Sequence, residues 1–251
     1  MKRQELVEHL DKLLACGQFR DYAPNGLQVQ GSDRVARVMT GVTASQALIE
    51  KAIAWGADTL LVHHGYFWKN EPAVITGMKA QRIKALLAHN INLLAYHLPL
   101  DAHPQLGNNA QLAKRLDIDV LGALDDEPGR ALVFHGQLRQ AMSSQDVIGH
   151  LQQRLGQRPL HLPGGPESIR TLAWCTGGAQ DYIDMAADAG VDAFISGEVS
   201  ERTTHIAAER GIHYFAAGHH ATERGGVQAL AEHLQLHLGL DAQFMDVANP
   251  V

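Results

Sequence analysis

Apolar residues along this chain change period repeatedly. Near-continuous apolar runs such as VARVMTGV and DTLLVH alternate with stretches whose apolar positions recur every three or four residues, the marks of buried strand and amphipathic helix. The pattern predicts strands over Val35–Val42, Asp58–His63 and Asn92–His97, and helices over Ser45–Trp55, Lys79–His89 and Asn109–Leu116. The opening MKRQELVEHLDKLL sets charges among its leucines and predicts another amphipathic helix rather than an export signal. Gly56 and Asn90 fall just past two of these helices, where a left-handed closing residue is expected. Strict alternation of this kind specifies an α/β fold with mostly parallel sheets.

The second half of the chain repeats the first. TGVTASQALIEKAIAWGADTLLVHHG, from Thr40, lies over TGGAQDYIDMAADAGVDAFISGEV, from Thr176, at an offset of 136 residues. Further on, INLLAYHLPLD lies over IHYFAAGHHATE at an offset of 122, matching His97 to His219 and Asp101 to Glu223. NNAQLAKRL then lies over GGVQALAEHL. The shorter offset reflects an extra loop in the first half, Gly65–Gly77, which carries Tyr66, Phe67 and Trp68 as a candidate apolar wall or lid. Gly, Pro and acidic residues cluster without periodicity over Leu121–Arg130 and mark a linker. Two similar, internally duplicated α/β domains are therefore expected, 1–127 and 128–251, with strand exchange between the halves left open. Pro163-Gly164-Gly165-Pro166 is a further loop inside the second half.

Composition narrows the classes. The chain has 251 residues, 45% hydrophobic and 19% charged, with a net charge of −6, which is ordinary globular chemistry. Cys16 and Cys175 are too few for a disulfide framework, which points to a reducing, cytoplasmic setting. No run reaches the roughly 18 apolar residues of a membrane span. A negative charge without a Lys/Arg cluster disfavours duplex binding. The fifteen histidines are the departure from the ordinary, outnumbering the six Phe and the six Met.

Three histidine-bearing clusters each follow an apolar strand. His63-His64 ends DTLLV; His97 and Asp101 flank Leu98-Pro99-Leu100; and Gly218-His219-His220-Ala221-Thr222-Glu223 precedes a helix. Pro99 argues against a helix at the second cluster and for an extended turn. At the third, the i, i+4 spacing puts His219 and Glu223 on one helical face. Taken singly, each is as readily a structural histidine, a turn aspartate or a glutamate answering a helix dipole. Together they supply imidazoles and two carboxylates with no thiolate, a donor set for Zn, Mn, Fe, Co or Ni. Five or six ligands exceed one tetrahedral zinc and suit a pair of ions. Glu198 and His205 are candidates for supporting or substrate-binding roles. No phosphate loop, dinucleotide fingerprint or serine-nucleophile elbow is present.

The segments APNGLQVQG, LLVHHGYFWK, HLPLDAHPQLGNNAQLA and AAGHHATERGG resemble the NGG-interacting-factor-three-like dinuclear metal-centre family, most of all its bacterial YbgI-like branch, labelled GTP cyclohydrolase type 2 homologues. The resemblance runs nearly end to end and implies two similar domains with a metal site between them, assembled as a toroidal homohexamer. It implies His63, His64, Asp101, His219 and Glu223 as ligands to two divalent ions, with Glu223 bridging. His97 is then an outer or proton-transfer group, and His220 is outside the ligand set.

The leading expectation is a metal-dependent hydrolase of a small molecule, for instance a nucleotide or a ring amide or amidine. A metal store, chaperone or insertion factor without turnover would use the same ligands. A ring scaffold in nucleic-acid maintenance is the third reading, with the net charge against it.

Overall fold

The computed structural model describes residues 1–125 and 130–251. In chain order the elements are α1 (Arg3–Leu13), β1 (Gly26–Val29), β2 (Arg37–Thr43), α2 (Gln46–Trp55), β3 (Thr59–His64), α3 (Gly77–Ala88) and β4 (Asn92–Ala95). There follow α4 (Leu98–Ala102), α5 (Asn108–Arg115), β5 (Ile118–Ala123), β6 (Phe134–Met142), α6 (Ser144–Leu155), β7 (Leu160–Leu162) and β8 (Ile169–Cys175). The last are α7 (Ile183–Asp188), β9 (Ala193–Ser196), α8 (Glu201–Arg210), β10 (His213–Ala216), α9 (His219–Leu238) and β11 (Asp241–Phe244). Among the described residues, no helix is long and apolar enough to cross a membrane.

The first sheet has the order β1-β4-β3-β2-β11. Its β4-β3-β2-β11 pairings are parallel and β1 is antiparallel to β4. The second sheet, β5-β6-β8-β9-β10-β7, has β8, β9 and β10 parallel, flanked by antiparallel β6 and β7. Each sheet thus contains three parallel strands joined by helical crossovers, with an antiparallel strand on the outer side of the third. The element order α1-β1-β2-α2-β3-α3-β4 recurs as α6-β7-β8-α7-β9-α8-β10. The duplication read from the sequence therefore extends upstream to a helix and an edge strand.

Most expected boundaries fall within one or two residues of the observed ones. Ser45 proves to be the N-cap of α2, accepting from the Leu48 N–H at 3.3 Å. Gly56 and Asn90 are left-handed, at φ 75° and 54°, and close their helices as expected. The Pro163–Pro166 segment is the loop between β7 and β8. The extended turn expected at Leu98–Asp101 is corrected: α4 is a short helix. Pro99 is its second residue, in the first turn where no intrahelical N–H bond is required.

The expected boundary at 127/128 and part of its linker, residues 126–129, lie outside the described residues. The chain divides into two compact units, Met1–Leu100 with Gly226–Ala248, and Asp101–Gly225 with Asn249–Val251. Neither unit is one continuous half. The first recruits β11, which pairs with β2 from Asp241 opposite Arg37 to Phe244 opposite Thr40. It also recruits the later turns of α9, where Val227, Leu230 and Leu234 are buried and the Val227 carbonyl accepts from the Thr40 hydroxyl at 2.9 Å. The β5–β6 pair, which borders the linker region, belongs wholly to the second unit.

One buried polar side chain ties the first sheet to its edge loop. Asn92 at the start of β4 is fully buried; its carbonyl accepts from the Gly31 N–H at 2.8 Å. Its amide donates to Ser32 O at 2.9 Å and to Asp58 O and Thr59 Oγ1 at 3.3 Å each. Asn92→Leu keeps the branched shape but strands these groups, so a loss of about 2 kcal/mol or more is expected. Urea unfolding with unchanged far-UV circular dichroism checks this, and a loss below about 0.5 kcal/mol would dismiss Asn92 as a tie.

Candidate metal centre

In the first unit, β3 ends in His63 and His64, and the chain leaving β4 presents His97. Potential ligand atoms of these three imidazoles lie within 4.8 Å of one another. Adjacent residues on a strand point to opposite faces, but the turn into Gly65 relaxes that rule and the two rings come to 4.5 Å between centroids. His63 is fully buried, and its Nδ1 lies 2.9 Å from the Tyr96 carbonyl. That carbonyl can only accept, so Nδ1 carries the proton and Nε2 is left in its ligating form. His64 Nδ1 is 3.3 Å from the Thr43 hydroxyl.

His97 is held from a loop that the sequence patterning did not single out. Its Nδ1 meets Asp21 Oδ1 at 2.7 Å, its backbone N–H donates to Asn25 Oδ1 at 2.8 Å, and the Leu98 N–H donates to Asp21 Oδ2 at 2.9 Å. Burial raises the Asp21 pKa, but the hydrogen bond and charge of His97 outweigh it and hold the carboxyl below its usual range. Asn25 sits in the APNG segment, so that motif's task is to fix His97.

The aromatic loop divides its labour. Tyr66 is core: it is 4% exposed, and its hydroxyl donates to Ala44 O at 2.8 Å. Phe67 packs on the same cluster. Trp68 alone forms a wall of this site, edge-on to His97 at 4.9 Å and 5.9 Å from His64.

The second unit gathers Asp101, His219 and Glu223. The carboxylates of Asp101 and Glu223, 7% and 3% exposed, have oxygens within 4.8 Å. Asp101 Oδ1 accepts from Asn108 Nδ2 at 2.8 Å and from Thr176 Oγ1 at 3.3 Å, while Asn109 Nδ2 donates to the Asp101 carbonyl at 3.3 Å. His219 and Glu223 share the first turn of α9, as their spacing predicted, with Nε2 to Oε1 3.1 Å. The other ring nitrogen of His219 meets Glu198 Oε1 at 2.6 Å. Burial opposes the imidazolium, but the Glu223 and Glu198 carboxylates outweigh it and push the His219 pKa up to about 9. His205 is different: it lies exposed on α8 beside Glu201 at 3.4 Å, a helix-surface i, i+4 pair. His220 is buried, its backbone N–H donating to Val251 O at 2.9 Å. A cavity of about 400 Å³ opens beside Glu198 and Gly218, with Gln157 and Arg158 on its wall.

The residues fit a metal. The first unit gathers three imidazoles and the second two buried carboxylates beside a half-buried imidazole, the N/O donors that first-row divalent cations take. Gly177 is shaped around the pair on α9: at φ +71°, a Cβ there would stand 2.1 Å from Glu223 Oε1 and 3.1 Å from His219 Nε2. Cys175 is a core thiol at the end of β8, its pKa raised well above normal by burial.

Comparison with known proteins follows the same lines. The sequence matches the Duf34/NIF3 (NGG1p interacting factor 3) family over residues 1–250. It is 54% identical over 251 residues to a Yersinia pestis protein named GTP cyclohydrolase 1 type 2 homolog, and 53% identical over 251 residues to an Escherichia coli protein of the same name. Both alignments cover 100% of each chain. A solved structure of the protein ybgI, described as of unknown function, shares the fold with a TM-score of 0.97 at 52% identity, covering 100% of both chains.

In chelator-treated protein the His219 imidazole should titrate near about 9 by NMR, and Glu198→Gln should lower that midpoint. The folded value lies above the unfolded value of about 6.5. The stabilisation is therefore complete below about pH 6.5 and disappears as pH rises through about 9. Denaturant midpoints across that range should fall more in the parent than in Glu198→Gln. Equal profiles would remove Glu198 as the partner that charges His219.

Proposed function

This chain belongs to the Duf34/NIF3 family, and from that premise we propose that it is a hydrolase of small molecules that works with two divalent metal ions. His63, His64, Asp101, His219 and Glu223 would hold the ions, through imidazole nitrogens and carboxylate oxygens. The observation that carries the reading is the Gly177 cradle, where a bare backbone makes room for the half-buried His219 imidazole and the buried Glu223 carboxylate. Bound ions of this type lower the pKa of water and polarise a carbonyl or phosphoryl oxygen.

The chain's own groups supply the rest. Asp21 holds His97 Nδ1 and leaves Nε2 to accept a proton from attacking water and return it to the leaving atom. Glu198 orients His219 through Nδ1, as outer carboxylates do for ligating histidines. Trp68 screens His97 and His64 from solvent on one side. Arg158, on the wall of the cavity beside Glu198, provides a guanidinium for an anionic substrate group. With the name borne by the Yersinia pestis and Escherichia coli relatives, that makes purine nucleotides the first substrates to try, followed by cyclic amides and esters. The working form is a homohexamer in the cytoplasm.

Protein purified without chelator or affinity tag should carry about two more equivalents of metal than a His219→Ala/Glu223→Ala variant. Gly177→Ala should lose metal similarly while staying folded, because its Cβ displaces Glu223. Metal content near zero in the parent, with no rebinding on titration, would end the metal reading. For the chemistry, His97→Ala should keep its metal and lose about 10²–10⁴ in kcat, with Asp21→Asn losing less. If metal-replete protein turns over no nucleotide, ester or cyclic amide, the hydrolase reading fails and fast transfer of metal to an acceptor apoprotein becomes the property to measure.

A further inference from the structure

Two aromatic rings flank the imidazole cluster of the first unit. Tyr22 and Trp68 each stand steeply to the His97 ring, at 67° and 86°, with centroids 6.4 and 4.9 Å from it. Trp68 is half-buried, whereas Tyr22 is 61% exposed, a large aromatic surface left in water beside the imidazoles. The backbone under both rings is fixed. Asp21 Oδ1, the oxygen that meets His97 Nδ1, also accepts from the Tyr22 N–H at 2.6 Å, and the Tyr22 carbonyl accepts from the Lys69 N–H at 2.8 Å. Phe67 is left-handed, at φ 65°, an uncommon conformation for a bulky side chain. Tyr66 and Phe67 before that twist pack into the core, and Trp68 after it faces the imidazoles; strain of this kind persists where a neighbouring group has a task.

We propose that Tyr22 and Trp68 form the platform that takes the planar ring of the substrate, and that Lys69 meets an anionic group carried by that ring. The ligand class is then a heteroaromatic phosphate, a nucleotide rather than an aliphatic ester or amide. The inference rests on the reading above that this centre serves a small molecule, and it narrows that molecule to one with a flat π face. Rings used only for packing would be covered, as Tyr66 is at 4% exposed. Tyrosine and tryptophan offer a rigid contact surface at low entropy cost, and anchoring their backbones lowers the cost of ordering further.

Charge decides between the ligands an aromatic platform can take. Exposed aromatics also bind organic cations through their negative faces. Here the Lys69 ammonium already stands 5.8 Å from the Tyr22 ring centroid, so a second cation would be repelled and an anionic group drawn in. Every nucleobase has a π face, so stacking alone selects for flatness and tolerates a change of base.

The test uses the full chain, purified without chelator, with GMP, guanosine and ribose 5-phosphate as probes. GMP and guanosine should quench tryptophan emission, and ribose 5-phosphate should not. Trp174 is fully buried and Trp55 lies against the Arg37 guanidinium at 4.2 Å, so Trp68→Phe should remove most of the quenching. By calorimetry, Tyr22→Ala should weaken both purines by about tenfold, Tyr22→Phe should bind them as the parent does, and Lys69→Gln should weaken GMP alone. The exposure of Tyr22 lets its variants fold, which circular dichroism checks. The platform is refuted if neither purine binds, if ribose 5-phosphate binds as tightly as GMP, or if folded Tyr22→Ala and Trp68→Ala bind GMP as the parent does. Because the readout is binding, the two readings fail separately. Purine binding without hydrolysis of any substrate would end the hydrolase reading and leave the platform standing, whereas hydrolysis without purine binding would do the reverse.

Discussion

Burying ionisable groups without partners costs several kcal/mol each, and the loops of this fold are organised around that cost. His63, Asp101 and Glu223 are almost sealed from water, yet each is met by polar atoms, Glu223 by the His219 Nε2 at 3.1 Å. The Tyr96 carbonyl faces His63 Nδ1, while Asn108 and Thr176 donate to one oxygen of Asp101. These partners are neutral groups on strand ends and helix starts, and they orient His63 and Asp101 without adding charge. The demand reaches outward. Asn109 clamps the Asp101 carbonyl with its amide and accepts from the Thr176 N–H at 3.1 Å, and the Trp174 indole donates to the Asn109 carbonyl at 3.1 Å. The asparagines of GNNAQLA therefore belong to the site as much as the histidines do.

What the sequence made legible was what repeats with a period or sits beside a strand end. The β2-α2-β3-α3-β4 order, both left-handed helix closures and the His219/Glu223 turn could all be read because each depends on residues within a few positions of one another. Other features depend on distance along the chain. Four residues, Asp241–Phe244, join the first sheet beside β2, and nothing in so short a strand names its neighbour. Asp21 was passed over for a related reason: an acid in an irregular loop has no period, and its meaning comes from a ring 76 positions away. Pro99 misled in the opposite direction, because its prohibition applies to helix interiors and α4 scarcely has one. The aromatic loop read as one object but is two: Tyr66 and Phe67 build core, and only Trp68 faces the imidazoles.

The duplicated halves solve one problem with different parts, which shows what the chemistry demands of the fold. After the third parallel strand of each repeat comes a histidine, His97 after β4 and His219 after β10, and each has a carboxylate on its Nδ1, at 2.7 Å and 2.6 Å. Had that carboxylate been simply inherited, it would come from the same element in both. It does not: Asp21 precedes β1, whereas Glu198 follows β9, in the place that His63-His64 occupy at the end of β3. The second repeat carries no imidazole at that strand end. Ser196 there bridges the Gly177 carbonyl and the Ala179 N–H at 3.1 and 3.3 Å, while Glu198 serves the histidine. Each repeat thus keeps a histidine and a carboxylate four residues apart, His97 with Asp101 and His219 with Glu223, while the paired imidazoles at the preceding strand end occur only in the first. In both, a carboxylate–histidine pair was kept by whichever loop could reach, because a buried ring that must ligate or move a proton through one nitrogen has to be fixed through the other.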